Sequence, residues 1–225
     1  MNKFKIILPK FAFAFIALLV LSCTNSAKKA NVAGGTSEET NTIARNEVLP
    51  VMGRDGRNET AFAFKNQNSY VVSMEYGGKF SVAVAFEISA WFKIDSLPQK
   101  SSMPHNLIGK FSADSASLPS EFSLALLNGA CGTQAPTFAF FLTDENSAFA
   151  CERALLSKNT VKAGLWTFVE AKWNGHYLTL YQDGVVVAEE ERISAVLPYS
   201  KLPIYLGKSQ VSFAIEGFSL NTEAL

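Results

Sequence analysis

Two histidines and three cysteines are too few, and too scattered, to assemble a zinc site. There is no Gly-x-Ser-x-Gly turn to present a serine nucleophile, and no glycine-rich loop to cradle a phosphate. His105 and His176 stand beside Asn106 and Gly175 in expected loops, where a lone histidine is ordinarily solvated. No window carries the 3.6-residue apolar period of a long amphipathic helix. Charge of one sign is also missing: 20 basic residues balance 20 acidic ones. What is abundant is apolar, with 48% hydrophobic residues and 18 Phe, ample for a core.

The longest uncharged apolar run, residues 11–21, follows Lys3, Lys5 and Lys10 and leads into Ser22-Cys23. Basic, apolar, then small is the order of an export signal. A membrane-spanning helix is the alternative, but a bilayer core needs about 20 residues. Eleven rise only about 16 Å as a helix. Ending on Cys23, the segment resembles the lipobox of bacterial lipoproteins, with a bulkier Leu21 than that family usually carries. The resemblance implies a signal peptide over 1–22, cleaved before Cys23, and lipidation of the Cys23 thiol. It places the protein at a bacterial cell envelope, lipid-anchored in the outer membrane and facing out of the cytoplasm. The leader holds three of the 20 basic residues and no acid, so the remainder carries 17 against 20, a net of −3. That balance argues against nucleic acid and against adhesion to anionic lipid by charge.

Residues 23–47 read as a flexible tether, polar and without the large side chains that offset ordering entropy. From Val48 to the end the period is two. Strands are predicted at 61–64, 80–84, 86–94, 107–111, 122–127, 138–142 and 148–151, then at 166–173, 177–182, 185–189, 204–207 and 211–220. Asp55-Gly56, Gly77-Gly78, Asn128-Gly129, Asn174-Gly175 and Asp183-Gly184 mark turns between them. Asp183-Gly184 between two β-rich runs predicts a type I′ hairpin. On the strand before it, Val169, Ala171 and Trp173 share one face, and Phe168, Glu170 and Lys172 the other. A dozen short strands in this rhythm mean a two-sheet sandwich or a barrel.

The run Trp166…Val169-x-Ala171…Asn174-Gly175…Leu178-x-Leu180-Tyr181-x-Asp183-Gly184 resembles the centre of laminin-G-like domains of the concanavalin A-like lectin/glucanase superfamily. Ser69-Tyr70-Val71, Phe86-x-Ile88-Ser89-Ala90-Trp91-Phe92-Lys93, Pro203-Ile204-Tyr205-Leu206-Gly207 and Gly217-Phe218 fall in the family's order. The likeness covers residues 50–225 and implies an all-β jelly-roll sandwich of two antiparallel sheets over 48–225. Ser219 and Leu220 follow Gly217-Phe218 where many members place an Asp, so that acid's role does not carry over. The family's glucanases bear Glu-x-Asp-x-x-Glu, which alternation sets on one face for hydrolysis. No such pattern occurs here; Glu189, Glu190 and Glu191 are consecutive and read as a solvated strand end.

With Cys23 assigned to lipid, Cys131 and Cys151 remain as a pair in an oxidising compartment. If 122–127, 138–142 and 148–151 form a meander, Cys131 and Cys151 meet at one edge of the sheet. The alternative is two buried free thiols. Thr143-Asp144-Glu145-Asn146 is the most acidic rim loop, and Asp144, Glu145 and Asn146 are the candidate ligand-binding residues, with calcium a conceivable cofactor. The alternative is a polar hairpin turn. Trp91, Trp166 and Trp173 have the chemistry to stack on sugars, but at alternating strand positions they are expected in the core. The composite expectation is a non-enzymatic envelope lipoprotein that binds glycan or an envelope protein. A purely structural envelope component is the second reading, and a divergent glycoside-active enzyme the third.

Overall fold

The computed structural model describes residues 43–73, 83–110, 121–142, 151–191 and 202–224. Their strands are β1 (Ile43–Asn46), β2 (Leu49–Val51), β3 (Ala61–Phe64), β4 (Tyr70–Ser73), β5 (Ala83–Ile94), β6 (His105–Lys110) and β7 (Phe122–Leu127). There follow β8 (Thr137–Leu142), β9 (Ala154–Thr160), β10 (Trp166–Trp173), β11 (Tyr177–Gln182), β12 (Val185–Glu191), β13 (Ile204–Gly207) and β14 (Phe213–Ala224). One sheet, here sheet A, has the order β1-β4-β13-β6-β7-β8-β9, and sheet B the order β12-β11-β10-β5-β14-β3-β2. Every pairing is antiparallel. The expected jelly-roll sandwich is therefore present.

Alternation decides what each strand buries. On β10, Thr167, Val169, Ala171 and Trp173 are buried, while Trp166, Phe168, Glu170 and Lys172 are half-buried on the opposite side. On β5, Phe86, Ile88, Ala90, Phe92 and Ile94 point into the core. They meet sheet A through ring contacts such as Phe92–Phe138 and Phe86–Phe140, both with centroids 5.8 Å apart. Full burial of each such ring contributes about 1.5–3 kcal/mol. Asp183 (φ +52°) and Gly184 (φ +79°) form the tight turn between β11 and β12 that the Asp-Gly pair predicts.

Strands β7 and β8 are buried on both sides. Leu124, Leu126, Phe138 and Phe140 belong to the main core. The alternate residues Ala125, Leu127, Ala139 and Phe141 form a second cluster with Ala130, on the outward side of sheet A. The β7–β8 connection thus folds back over its own sheet. Cys131 in this connection is bonded to Cys151, with Cα atoms 5.0 Å apart.

The pairing is the expected one, but its route differs. Of the strand expected at 148–151, only Cys151 is among the described residues. It opens a 3₁₀ turn (Cys151–Arg153) that leads into β9, a strand the sequence reading left out. The bridge therefore ties a loop across the sheet face rather than closing an edge. Other boundaries move as well. Ile43–Asn46, placed in the tether by composition, is strand β1, because its backbone finds an edge to pair with on β4. His105 begins β6 rather than lying in a loop.

Near the end of the inward face, Lys110 Nζ lies 2.8 Å from Glu121 Oε1, with neither side chain exposed. Lys110 pairs in register with Ile204, a core residue, so the ion pair is on the core side of sheet A. Burial holds the Lys110 ammonium below its ordinary pKa, with Glu121 opposing the shift.

Candidate functional site

The outward face of sheet B gathers the chemistry-bearing side chains. Antiparallel register sets Phe168 opposite Trp91, Trp166 opposite Lys93, Glu170 opposite Ser89 and Lys172 opposite Glu87. On the other flank, β14 adds Glu216 beside Trp91, Ser219 beside Ser89 and Asn221 beside Glu87. Beyond β10, Tyr181 sits beside Glu170 and Thr179 beside Lys172. Direct cross-strand neighbours have Cβ atoms about 5 Å apart, so these residues form one continuous surface.

Its aromatic end is a cluster. The Trp91 and Phe168 centroids are 5.3 Å apart at an interplanar angle of 46°. The Arg54 guanidinium carbon lies 4.1 Å from the Trp91 ring centroid, and Lys93 Nζ lies 5.4 Å from that of Trp166. Arg54 reaches the ring because its loop is pinned to the sheet: its backbone N–H donates to Glu216 Oε2 at 2.8 Å. The neighbouring Gly53 permits that approach, since a Cβ there would stand 1.9 Å from Thr60 Oγ1 and 2.9 Å from Glu216 Oε1. Asp95, next along the same face, accepts from Lys65 Nζ and Ser212 Oγ. Burial raises the Asp95 pKa, but the Ser212 and Lys65 bonds outweigh it and hold the group below its usual range.

The other end is polar. Lys172 Nζ stands 3.3 Å from Glu87 Oε2 and 3.2 Å from Glu170 Oε1, and 5.4 Å from the Tyr181 ring centroid. Burial pushes the Glu170 carboxyl above its ordinary pKa; Lys172 opposes this and Glu87 adds to it. Burial alone would depress Lys172, yet the two carboxylates leave it raised. This is a pair of carboxylates on one face, supplied by two strands rather than by the single-strand motif of the glucanases. Each contacts the Lys172 ammonium.

Trp173 is in the core as expected, 4% exposed, with Nε1 unpaired among the described residues. Trp91 and Trp166 are not: both lie outward and half-buried, because they share parity with Glu87, Ser89 and Lys93 and with Glu170 and Lys172. Neither histidine belongs to the surface. Burial lowers the pKa of His105, and His176 Nε2 lies 2.9 Å from Glu191 Oε1 in the β10–β11 turn. Glu189, Glu190 and Glu191 are exposed along β12, as a solvated strand end. Asp144, Glu145 and Asn146 lie outside the described residues, as does Cys23. Among the described residues no three His, Cys, Asp or Glu side chains gather as metal ligands.

A laminin-G family profile, described as the Concanavalin A-like lectin/glucanases superfamily, matches residues 65–219. The chain belongs to this family. Among solved structures, the binding domain of Paraclostridial Mosquitocidal Protein 1 superposes with a TM-score of 0.62 at 14% identity, over 84% of this chain and 45% of that one. The botulinum neurotoxin serotype D ligand binding domain, solved with N-acetylneuraminic acid, gives 0.57 at 15% identity, over 82% and 43%. The receptor binding domain of the botulinum neurotoxin C/D mosaic serotype gives 0.53 at 17%, over 82% and 42%. At these identities the likeness is one of fold. The chain spans less than half the length of each of these structures. No curated protein matches the sequence.

Proposed function

We propose that the protein is a non-catalytic, lectin-like binding protein whose outward face of sheet B receives a carbohydrate. One observation carries the reading: the half-buried Trp91–Phe168 pair, flanked by Trp166 and set among Arg54, Lys93, Glu216 and Ser89. Flat rings beside donors and acceptors match the alternation of C–H faces and hydroxyls on a sugar. Such surfaces bind weakly, because ordering costs offset much of each contact, and micromolar or weaker affinity is expected.

A glycan array probed with the purified protein, with and without calcium, tests it. Binding that Trp91→Ala abolishes supports the reading; retention of every ligand by that variant overturns it. The Lys172 ammonium between Glu87 and Glu170 supports the absence of hydrolysis. Reducing sugar released at a rate that survives repurification would overturn that part.

The sandwich is presented, in this proposal, at a bacterial envelope on a lipid attached to Cys23, with residues 1–22 removed and a tether between lipid and fold. The basic–apolar–Ser22-Cys23 order supports it. Metabolic palmitate labelling tests it: Cys23→Ser should lose the label, and equal labelling would exclude that site. A second reading, an envelope protein as partner, draws on Val185 and Val186, 63% and 51% exposed on edge strand β12. Crosslinking from that edge in intact cells tests the second reading; no product specific to the edge would set it aside.

A further inference from the structure

The platform is electrically lopsided. At the polar end one ammonium, Lys172, is shared by two carboxylates. At the aromatic end there are two cations, Arg54 and Lys93, and no carboxylate lies within 4 Å of either charged group among the described residues. Glu216 is near, but what it accepts is the Arg54 backbone N–H. Asp95 feels the charge of Lys93, yet its hydrogen bonds go to Lys65 and Ser212. Both cations are instead parked on rings, Arg54 on Trp91 and Lys93 on Trp166. Phe168 is paired with Trp91 and follows Trp166 by two residues on β10, and among the described residues no cation stands over its ring.

A cation–π contact at an exposed site is worth about 0.5–1 kcal/mol, less than a hydrogen bond between charged partners at about 1.5–3. Stacking a guanidinium over an indole also leaves its N–H edge open to an acceptor. Arg54 and Lys93 are thus held in place, one on Trp91 and one on Trp166, with donor capacity to spare for an anion.

We infer that the Arg54–Trp91–Phe168–Lys93 end of the platform is a subsite for an acidic sugar. The sugar's carboxylate is received by Arg54 and Lys93, and its ring lies against Phe168 and the flanking indoles. The Glu87–Glu170 end repels a second acidic unit, so the ligand's remaining sugars there are neutral. This inference rests on the carbohydrate reading above and adds the charge class of the ligand and its direction along the sheet.

Matched pairs differing only in the acid group test it on the full chain: oligogalacturonate against its methyl ester, and sialyllactose against lactose, by calorimetric titration. The acidic member of at least one pair should bind about tenfold more tightly at low salt, a difference of about 1.4 kcal/mol. The preference should shrink as salt shortens the screening length from about 10 Å toward 3 Å. It should vanish in an Arg54→Gln, Lys93→Gln double variant, whose backbone can still donate to Glu216. Equal binding of acid and neutral members, or an acid preference that survives the double variant, overturns the subsite and leaves the platform standing. Binding of no member of either pair, with no other ligand on the array, overturns both.

Discussion

Trp91 on β5 and Phe168 on β10 are directly opposite one another, 5.3 Å between centroids, on the side of their sheet that faces away from the core. Five residues earlier on β5, Phe86 makes a comparable contact with Trp173 at 5.8 Å, but on the inward side. Similar ring pairs on the two faces of one sheet have opposite expected consequences.

Trp91→Ala should cost binding at least about tenfold, the loss expected for a stacked aromatic anchor, while the urea midpoint moves little. Trp173→Ala should destabilise by about 3–5 kcal/mol, because it leaves a cavity among Phe86, Leu178 and their neighbours. Titration and urea denaturation of both variants check this. If Trp91→Ala unfolds the protein as readily as Trp173→Ala, the outward face is core and no platform exists.

Reducing the Cys131–Cys151 bridge, which spans 20 residues, should cost about 3 kcal/mol. Since Cys131 and Ala130 cover Ala125, Leu127, Ala139 and Phe141, the loss should expose that second cluster first. Hydrogen exchange with and without reductant checks it: amides of β7 and β8 should lose protection ahead of those of β10. Uniform loss across both sheets would contradict it.

Lys110→Met should destabilise by about 3–5 kcal/mol, because it strands a buried Glu121 carboxylate without its ammonium. Adding Glu121→Leu should recover a large part of that loss, since paired apolar replacements of a buried ion pair are often near neutral. A double-mutant cycle in urea measures it. A double variant as unstable as the sum of the singles would show that the two groups act separately.

The Glu170 carboxyl titrates above its ordinary value, first because of burial and then because Glu87 is near, with Lys172 opposing. The folded chain therefore holds this proton more tightly than the unfolded chain. Glu170 favours the fold at low pH, and that contribution is lost as pH rises from the ordinary carboxylate range through the raised value. Asp95, held low by Ser212 and Lys65 against burial, works the other way: its contribution is present above the ordinary range and is lost as pH falls through the folded value. Urea midpoints taken across this interval should decline less with rising pH in Glu170→Gln than in the parent. An unchanged slope would rule Glu170 out as the source.

Strand rhythm made most of the sandwich readable, because alternation survives wherever one side of a strand is wet. The 166–173 strand is the clearest case, with its inward and outward sets both recovered. β9 escaped because its second half, Lys158-Asn159-Thr160, is exposed and polar, whereas the preceding Ala148-Phe149-Ala150 offers more apolar side chains. The loop over sheet A was hidden for the opposite reason. With β8 buried on both sides, Phe138-Ala139-Phe140-Phe141-Leu142 has no polar beat to reveal that a second layer covers it. The platform did leave a trace. Trp91 shares parity with Glu87, Ser89 and Lys93, so its outward direction was written in the alternation, and only the general habit of burying tryptophan spoke against it. What no local pattern contained is Arg54, which reaches Trp91 through a loop pinned by the long-range bond of its backbone N–H to Glu216.

The way the chain enters the fold has a mechanical consequence. Glu47, with φ of +50°, turns the chain from β1 into β2, so that two successive strands clasp opposite sheets. A pull from the N-terminal side meets β1 first, where four residue pairs hold it to β4. Next it meets β2, held to β3 by three pairs, one of them through Pro50, which has no N–H to donate. Force spectroscopy from that side should show a small yielding step before the main rupture; a single rupture would exclude staged release. Three residues beyond the end of β2 stands Arg54, with its backbone on Glu216 and its guanidinium on Trp91. Release of β2 would therefore free the segment that carries Arg54, the residue capping Trp91.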